Sequence, residues 1–360
     1  MDLIVGDHLP PLRLPGVTNP RYVVDSAGGR YLLIAALSRA SEDEVLRGIE
    51  HLEAARHRFN DSHACAFGVV PDQPRWRERC QDQVPGLRWL FDPEGIGATT
   101  LDAESGPVWF LIDPSLVILR RTGMEYAASI LENVSTLPPP DLHTGSEIFA
   151  PVLVAPRIFE PAFCQALIDE YQRIGGQPSG FMREVDGMTR LINDPNHKRR
   201  SDVMLPDGTL KDQAGARIQR RLVPLIHKAF HFRVTRMERY LVACYDAETG
   251  GHFRRHRDNT TKGTAHRRFA VSINLNHDFD GGDLCFPEYG NRTYRPPLGG
   301  AVVFSCSLLH EATTITRGTR YAFLPFLYDE AAAEIRRANL KFLDTQQAET
   351  TMPDAPVDPA

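Results

Sequence analysis

The chain has 360 residues, of which 42% are hydrophobic and 24% charged, as in an ordinary globular protein. Its formal net charge of −5 lacks the basic excess of duplex nucleic-acid-binding proteins, and no apolar run is long enough to span a membrane. The first residues lack the basic and apolar segments of a signal peptide, and the six cysteines form no C-x-x-C pair. We therefore expect a cytoplasmic protein without nucleic-acid or membrane partners.

The first 135 residues alternate strand-like and helix-like segments, which predicts an α/β domain over 1–135. Continuous apolar runs are typical of buried strands, and apolar residues at helical spacing indicate a helix between them. The predicted elements are strand 31–37, a helix over 41–59 with Ser41 as its N-cap, strand 64–70, and a hairpin of 108–114 and 116–121.

Residues 136–149 include three consecutive prolines, which resist both helix and central strand and predict a semi-rigid linker. A second domain is predicted over 150–345, with short strands punctuated by Gly, Asn and Asp between 239 and 328, as in an all-β sandwich or barrel. Its other predicted elements are strand 151–156, helix 160–176, helix 212–232 with a kink at Pro224, and helix 330–344. The tail, 346–360, is predicted to be disordered.

The short stretch HRDN contains two candidate metal ligands, His256 and Asp258. On a strand, residues i and i+2 point to the same face, so the imidazole and the carboxylate would face one point in space. His310, just past a buried apolar strand, is the third candidate. Two histidines and one carboxylate form the facial triad that holds non-haem Fe(II) and leaves positions open for a cosubstrate and O2.

Residues 150–328 closely resemble the prolyl 4-hydroxylase-like branch of the Fe(II)/2-oxoglutarate-dependent oxygenases. The motifs that carry the resemblance are VACYDAETGGHFRRHRDN, SINLN, FDGGDLCFPEYG, PLGGAVVFSCSLLHEA and TRGTRYAF. The resemblance implies a double-stranded β-helix (jelly roll) with flanking helices, and Fe(II) bound by His256, Asp258 and His310. It also implies hydroxylation of an unactivated C–H bond, with 2-oxoglutarate and O2 consumed, succinate and CO2 released, and ascorbate as a candidate accessory reductant.

The same resemblance assigns residues to the cosubstrate. Arg320 would pair with the distal carboxylate of 2-oxoglutarate, because a guanidinium is a planar fork that matches a carboxylate. Arg317 is the competitor, but the periodicity of RYAF turns Arg320 inward, whereas Arg317 precedes a turn glycine. Tyr245 matches a family tyrosine that hydrogen-bonds the cosubstrate, although its spacing to His256 is one residue longer than in animal relatives. Asn274 fits either a contact to the same carboxylate or a plain position on the barrel wall.

Basic residues surround the metal motif, and they predict either an electropositive entrance for an anionic substrate or a solvated charged loop. They are Arg254, Arg255, Arg257, Lys262, His266, Arg267 and Arg268, with a second group in NHKRRSD over 196–202. Three further histidines, for which surface or pocket-wall positions are expected rather than metal binding, are His197, His252 and His277. The substrate stays open between a prolyl or other protein residue and a small molecule, such as an amino acid or secondary metabolite.

The first domain resembles the peroxiredoxins, which have a thioredoxin-like fold, in the segments 4–16, 89–101 and 107–121. Peroxiredoxin chemistry needs a low-pKa cysteine at the start of the helix after the first central strand. The corresponding stretch, AALSRASEDEV, has no cysteine, and Ser41 cannot replace a thiol. We therefore expect a redox-inactive domain that serves homodimer formation, substrate presentation or partner binding.

Two other functions are alternatives to a hydroxylase. A thiol peroxidase would act through Cys65 or Cys80 and carry an accessory β domain. A non-catalytic module would bind O2 or 2-oxoglutarate without turnover, but the complete set of iron and cosubstrate residues argues against it.

Overall fold

The structure is a computed structural model that describes residues 2–344 and the backbone of 355–356. Apart from that short piece, the tail predicted to be disordered lies outside the described residues. The chain forms two compact units, Met1–Ala150 with Phe286–Arg292 and Pro151–Cys285 with Thr293–Ala360. Among the described helices, none combines the length and the apolar character needed to cross a bilayer.

The first unit is an α/β unit. Its elements are β1 (Arg13–Leu14), β2 (Tyr22–Val23), β3 (Tyr31–Ala36), α1 (Glu42–Ala54), β4 (Ala64–Pro71), α2 (Pro74–Arg79), β5 (Leu87–Asp92), α3 (Ile96–Thr100), β6 (Val108–Ile112), β7 (Ile118–Gly123) and α4 (Ala127–Asn133). Five described strands form one sheet in the order β5-β4-β3-β6-β7. Strands β3, β4 and β5 run parallel, and β6 and β7 join antiparallel.

Apolar residues cover both faces of this sheet, which explains the continuous apolar runs. Tyr31 and Leu33 of β3 belong to one core cluster, and Leu32 and Ile34 belong to the cluster on the opposite face. The predicted strands and hairpin are confirmed. The predicted helix is confirmed at its start, where Ser41 forms a capping box with Glu44, but α1 ends before a short 3-10 turn instead of continuing to 59.

One segment of the first unit comes from the second half of the chain. Residues Phe286–Arg292 belong to this unit, although the sequence around them continues in the second. The Ser115 hydroxyl donates to the Glu288 carbonyl at 3.1 Å, and Arg292 donates to the Glu147 carboxylate at 2.7 Å. The placement of Phe286–Arg292 in the first unit was not predicted from the sequence, because no local sequence pattern distinguishes this segment from its neighbours.

The second unit is mostly β. Its elements are β8 (Leu153–Ala155), α5 (Pro161–Ile174), β9 (Gln177–Pro178), β10 (Phe181–Val185), β11 (Met188–Ile192), β12 (Lys198–Arg199), β13 (Ser201–Met204), α6 (Thr209–Arg217), α7 (Val223–Phe230), β14 (Arg236–Glu238), β15 (Leu241–Asp246), β16 (His252–His256), β17 (Phe269–Asn274), β18 (Leu284–Cys285), β19 (Thr293–Tyr294), β20 (Ala301–Ser305), β21 (His310–Ala312), β22 (Thr319–Phe323), β23 (Phe326–Tyr328), α8 (Glu330–Asn339) and β24 (Ala355–Pro356).

Two antiparallel sheets organise this unit. The smaller sheet has the order β12-β16-β21-β18-β19. The larger sheet has the order β24-β14-β23-β17-β22-β15-β13-β9, with β20 pairing to β17 and β8 pairing to β20. Strands β10 and β11 form a separate hairpin.

Successive side chains of a strand point to opposite faces, so the larger sheet has an apolar face and a more polar face. Val242, Ile273 and Phe323 belong to the main core, together with residues of α5 to α7. Tyr245 and Ala243, which alternate with Val242 along β15, lie in a different cluster. The polar residues of β17 and β22 lie on this second face, which carries the site described below.

The helix predicted over 212–232 is confirmed as α6 and α7, and its α-helical pattern is interrupted just before Pro224, where the kink is predicted. A π-helical turn over Ile218–Leu222 separates α6 from α7. Pro224, in the first turn of α7, has no N–H and clashes with the carbonyl four residues earlier, so a continuous α-helical ladder cannot run through it. The other predicted helices are confirmed as α5 and α8, although α8 ends at Asn339.

Candidate active site

Three candidate ligands come together beside the smaller sheet. His256 on β16 lies opposite His310 on β21 in the antiparallel register. Asp258 bridges the two rings, with carboxylate oxygens 3.5 Å from His256 Nε2 and 3.4 Å from His310 Nε2. One potential ligand atom from each residue lies within 4.8 Å of the others. All three side chains are largely shielded from solvent.

The rings are oriented so that their Nε2 atoms face this common point. His256 Nδ1 donates to the Arg254 carbonyl at 2.7 Å, and His310 Nδ1 donates to the Leu308 carbonyl at 3.0 Å. Such a bond fixes the tautomer and leaves the Nε2 lone pair for a metal. Burial, helped by His256, lowers the pKa of His310 to about 4, so this ring is neutral at pH 7, as metal binding requires. The donor set therefore fits Fe(II).

Asp258 reaches this point by a route that the sequence reasoning did not foresee. Strand β16 ends at His256, and Asp258 lies in the following turn. The premise that both residues share one strand face is wrong. Instead, the Asp258 N–H donates to the Cys306 carbonyl at 2.9 Å, which holds the turn against the chain leading to His310.

Arg320 lies buried on the second face of the larger sheet. Its Nε donates to Asn274 Oδ1 at 3.0 Å, and its Nη2 donates to the Ser272 hydroxyl at 2.7 Å. Tyr245 is its cross-strand partner, and the guanidinium carbon lies 5.4 Å from the centre of that ring. Arg317, the competitor, is 65% exposed and pairs with Asp280 at 2.6 Å. The structure thus groups Arg320 with Tyr245 and Asn274 and places Arg317 elsewhere.

Ser272 was missed by the sequence reasoning. It precedes Asn274 by two residues on β17, so the period of a strand puts both side chains on one face. That spacing was an available signal.

The further histidines do not join the three candidate ligands. The His252 ring contacts the carbonyls of Gly250 and Asn196, and His277 is exposed. The centre of the His197 ring lies 6.4 Å from that of His256. Burial, with a contribution from His256, lowers the pKa of His197 to about 4. Their placement agrees with the expected wall and surface positions.

The basic cluster divides into exposed and buried residues, so His266 and Arg267 cannot belong to a solvated loop. Arg254 and Lys262 are exposed. Arg267 and His266 are instead buried around Glu238, whose carboxylate accepts from Arg267 Nε at 2.6 Å and from His266 Nε2 at 2.8 Å. The Glu238 carboxylate explains why Arg267 and His266 can be buried, since a buried charge needs a partner.

We expect Glu238→Gln to destabilise the protein by about 3–5 kcal/mol, because it removes one partner of a buried ion pair. Burial alone would raise the pKa of Glu238, but Arg267 and His266 hold it below its usual value of 4.5. The stability from Glu238 is therefore complete above about pH 4.5 and is lost as the pH falls below it. Urea denaturation of both proteins should show the difference at pH 7 and its decline toward pH 3.

Circular dichroism is the suitable probe, because Trp76, Trp89 and Trp109 all lie in the first unit. Glu330→Gln is the matched control, since Glu330 pairs with Arg236 at the surface, where an ion pair contributes little to stability. Equal effects of the two substitutions would contradict the assignment of Glu238.

The cysteines give no support to thiol chemistry. All six are buried and unpaired by disulfides. Burial raises the pKa of both Cys65 and Cys80 to about 12. A nucleophilic thiolate requires the opposite shift, so neither residue is set up for peroxidase catalysis.

Comparison with known proteins identifies the family. Residues 240–328 match the family profile of the 2OG-Fe(II) oxygenase superfamily. A PKHD-type hydroxylase of Pseudomonas fluorescens is 31% identical over 179 residues, which cover 44% of this chain and 75% of the relative. The chain belongs to the 2OG-Fe(II) oxygenase superfamily. It is an Fe(II)- and 2-oxoglutarate-dependent hydroxylase, as predicted, with 2-oxoglutarate and O2 as cosubstrates.

Other proteins resemble parts of this oxygenase. A PKHD-type hydroxylase of Delftia acidovorans is 33% identical over 122 residues, 31% of this chain and 54% of the relative. The crystal structure of a Pseudomonas putida prolyl-4-hydroxylase has a TM-score of 0.40 and 19% identity, covering 53% of this oxygenase and 96% of that chain. Peroxidoxin BcpB of Mycobacterium tuberculosis has a TM-score of 0.31 and 15% identity, and the match covers 37% of this oxygenase and 97% of that chain.

Proposed function

We propose that His256, Asp258 and His310 bind Fe(II), and that Arg320 binds the distal carboxylate of 2-oxoglutarate. The observation that carries the proposal is the convergence of two imidazole Nε2 atoms on one buried carboxylate. When bound, Fe(II) supplies the O2 chemistry that couples oxidation of 2-oxoglutarate to succinate and CO2 with hydroxylation of an unactivated C–H bond. The bond belongs to a prolyl or other protein residue, or to an amino acid or secondary metabolite.

The residues around Arg320 prepare it for a carboxylate. A guanidinium has five N–H donors, and Asn274 and Ser272 hold its Nε and Nη2 groups. The fork is thereby oriented before the cosubstrate arrives, which lowers the entropic cost of binding.

The two neighbours predicted to contact 2-oxoglutarate receive different roles. Both polar atoms of the Asn274 amide are engaged, since Nδ2 donates to the Pro296 carbonyl at 3.1 Å. We therefore assign Asn274 to positioning Arg320. The Tyr245 hydroxyl accepts from Arg200 at 3.3 Å and keeps its own hydrogen for 2-oxoglutarate.

We assign the second unit to a double-stranded β-helix and the first to a thioredoxin-like domain without redox activity. In this proposal the Pro-rich segment 136–149 is the linker between the predicted domains 1–135 and 150–345. The first domain serves homodimer formation or substrate presentation, and ascorbate acts as an accessory reductant. Six buried cysteines without disulfides suit a reducing compartment, so the proposed location is the cytoplasm.

Anaerobic titration of the metal-free protein with Fe(II) and 2-oxoglutarate tests the proposed site. Chelation of the ferrous ion by 2-oxoglutarate should produce a visible charge-transfer band that Fe(II) with succinate does not produce. In air, the same mixture should form succinate. If both ligands are present and no band develops, the proposed site is wrong.

A further inference from the structure

Arg239 lies between strands β14 and β15, close to the polar face that carries Arg320. It precedes Leu241 by two residues, and Leu241 belongs to the same cluster as Ala243 and Tyr245. The Arg239 guanidinium carbon lies 5.5 Å from the centre of the Phe326 ring, which Arg267 contacts at 4.0 Å. Its side chain is 29% exposed, so it is not sealed in the core.

The acids around Arg239 already have closer partners. Asp202 Oδ2 lies 3.7 Å from Arg239 but accepts from Arg200 Nη2 at 2.6 Å and also from the Ser179 hydroxyl. Glu238 is occupied by Arg267 and His266, as described above. Arg239 thus shares Asp202 with Arg200, and these two guanidiniums outnumber the one carboxylate between them.

Arg239 cannot relieve this imbalance by losing its proton. Burial, with Arg267 and Arg200, lowers the pKa of Arg239 to about 10, and the group remains charged at neutral pH. Lys198 is a useful contrast. Burial lowers its pKa well below the usual value, and its Nζ donates to the Ser179 hydroxyl and the Gly180 carbonyl, so it can become neutral. A partly buried guanidinium that shares its only nearby free acid with another cation favours the arrival of an anion.

The backbone of Arg239 is also strained. Its φ is +66°, in the left-handed region that residues other than glycine rarely occupy. Such conformations are costly, persist only when the surrounding structure holds them, and cluster at active sites and ligand-binding positions. A substrate contact by Arg239 agrees with this pattern.

Arg239 is distinct from the cosubstrate residue but connected to it. Arg200 and Arg320 lie on the same Tyr245 ring, with guanidinium carbons 5.7 Å and 5.4 Å from its centre. Arg200 then contacts Asp202, and Asp202 faces Arg239. A chain of contacts thus leads from Arg320 to Arg239. An anion bound by Arg239 would be a second anion, separate from the 2-oxoglutarate carboxylate at Arg320.

We propose that Arg239 binds a carboxylate of the primary substrate, and that this contact selects acidic over neutral substrates. The inference rests on the proposed function and adds the chemical class of the substrate. The carboxylate belongs either to a free acid or to an acidic side chain of a peptide, and the test separates these sources. Arg239 acts in binding and takes no part in bond cleavage.

The test follows succinate formation by the enzyme loaded with Fe(II) and 2-oxoglutarate. The added compounds are L-glutamate, L-aspartate, the end-blocked peptide Ala-Glu-Ala and the end-blocked neutral peptide Ala-Pro-Ala. At least one acidic compound should raise the rate above the background, and the more effective type identifies the source. Stimulation by Ala-Pro-Ala alone, or by none of the acids, overturns the proposal.

Arg239→Gln should raise KM for the active acid on the order of 10- to 100-fold, because it removes a charge-assisted hydrogen bond. It should change kcat by no more than a few-fold and leave KM for 2-oxoglutarate unchanged. Arg239→Lys should recover part of the affinity, and Arg317→Gln, at an exposed arginine, should change nothing. A change in kcat with unaltered KM would overturn the proposal.

Two further readouts keep the outcomes separate. Without substrate, Arg239→Gln should keep the Tm of the wild type or raise it, since Asp202 retains its closer partner Arg200, whereas a structural arginine would lower the Tm when replaced. Absence of the Fe(II)–2-oxoglutarate band in the wild type refutes the proposed function. A normal band without acid-dependent turnover refutes only the role of Arg239.

Discussion

Replacing His256 by alanine should abolish the Fe(II)–2-oxoglutarate band and reduce succinate formation on the order of 10³-fold, because stabilisation by a metal ion is worth several kcal/mol. Among the described residues, no imidazole outside the candidate ligands belongs to the metal-binding group. His310 already belongs to the site, and the His197 ring centre is 6.4 Å from that of His256. Anaerobic absorption spectra and succinate assays measure the two effects.

His277→Ala is the matched control for this experiment. His277 is an exposed histidine of the same unit outside the proposed ligand set, so its replacement should leave both readouts unchanged. A band of normal intensity in the His256 variant would mean that iron binds elsewhere. Equal loss in both variants would point to nonspecific damage rather than to a lost ligand.

Arg320→Met should raise KM for 2-oxoglutarate on the order of 10²-fold, because loss of one partner of a buried charged pair costs several kcal/mol. Iron affinity should remain within a few-fold of the wild type, since no candidate ligand contacts Arg320. Titration of the band with 2-oxoglutarate at fixed Fe(II) separates the two affinities. Arg320→Lys should restore only part of the affinity, since lysine keeps the charge but lacks the planar fork.

Arg317→Met is the control, because that exposed arginine pairs with Asp280. If Arg317→Met weakens 2-oxoglutarate binding while Arg320→Met does not, the assignment of the two arginines is reversed. Loss of Arg320 also leaves Asn274 Oδ1 and the Ser272 hydroxyl without their arginine donor, which costs about 1–3 kcal/mol of stability. Circular dichroism should therefore accompany the binding measurements.

Local patterns account for most of the predicted elements. The apolar runs predicted β3 and β4, and Ser41 with Glu44 marked the start of α1. Such signals work because strand alternation and helix capping depend on residues a few positions apart. Pro224 likewise marked the interruption between α6 and α7. The end of α1 was less accessible, since helix ends depend on contacts with neighbouring elements.

The candidate ligands were nominated from residue types and spacing, but their meeting point depends on strand register. Residues 256 and 310 are distant in sequence and lie opposite each other only because β16 pairs with β21. The turn at Asp258 depends on a backbone contact to Cys306, which no strand pattern contains.

By itself, the sequence was sufficient to predict the reaction class, because a His-x-Asp pair, a distal histidine and an inward arginine carry its resemblance to the Fe(II)/2-oxoglutarate-dependent oxygenases. Tertiary structure alone decided which charged residues are matched. Arg267 and His266 appeared in the sequence as part of a basic cluster, yet Glu238, nearly thirty residues earlier, pairs with both. Arg239 shares Asp202 with Arg200 for the same reason, since charge balance depends on distances in space and not on separation along the chain.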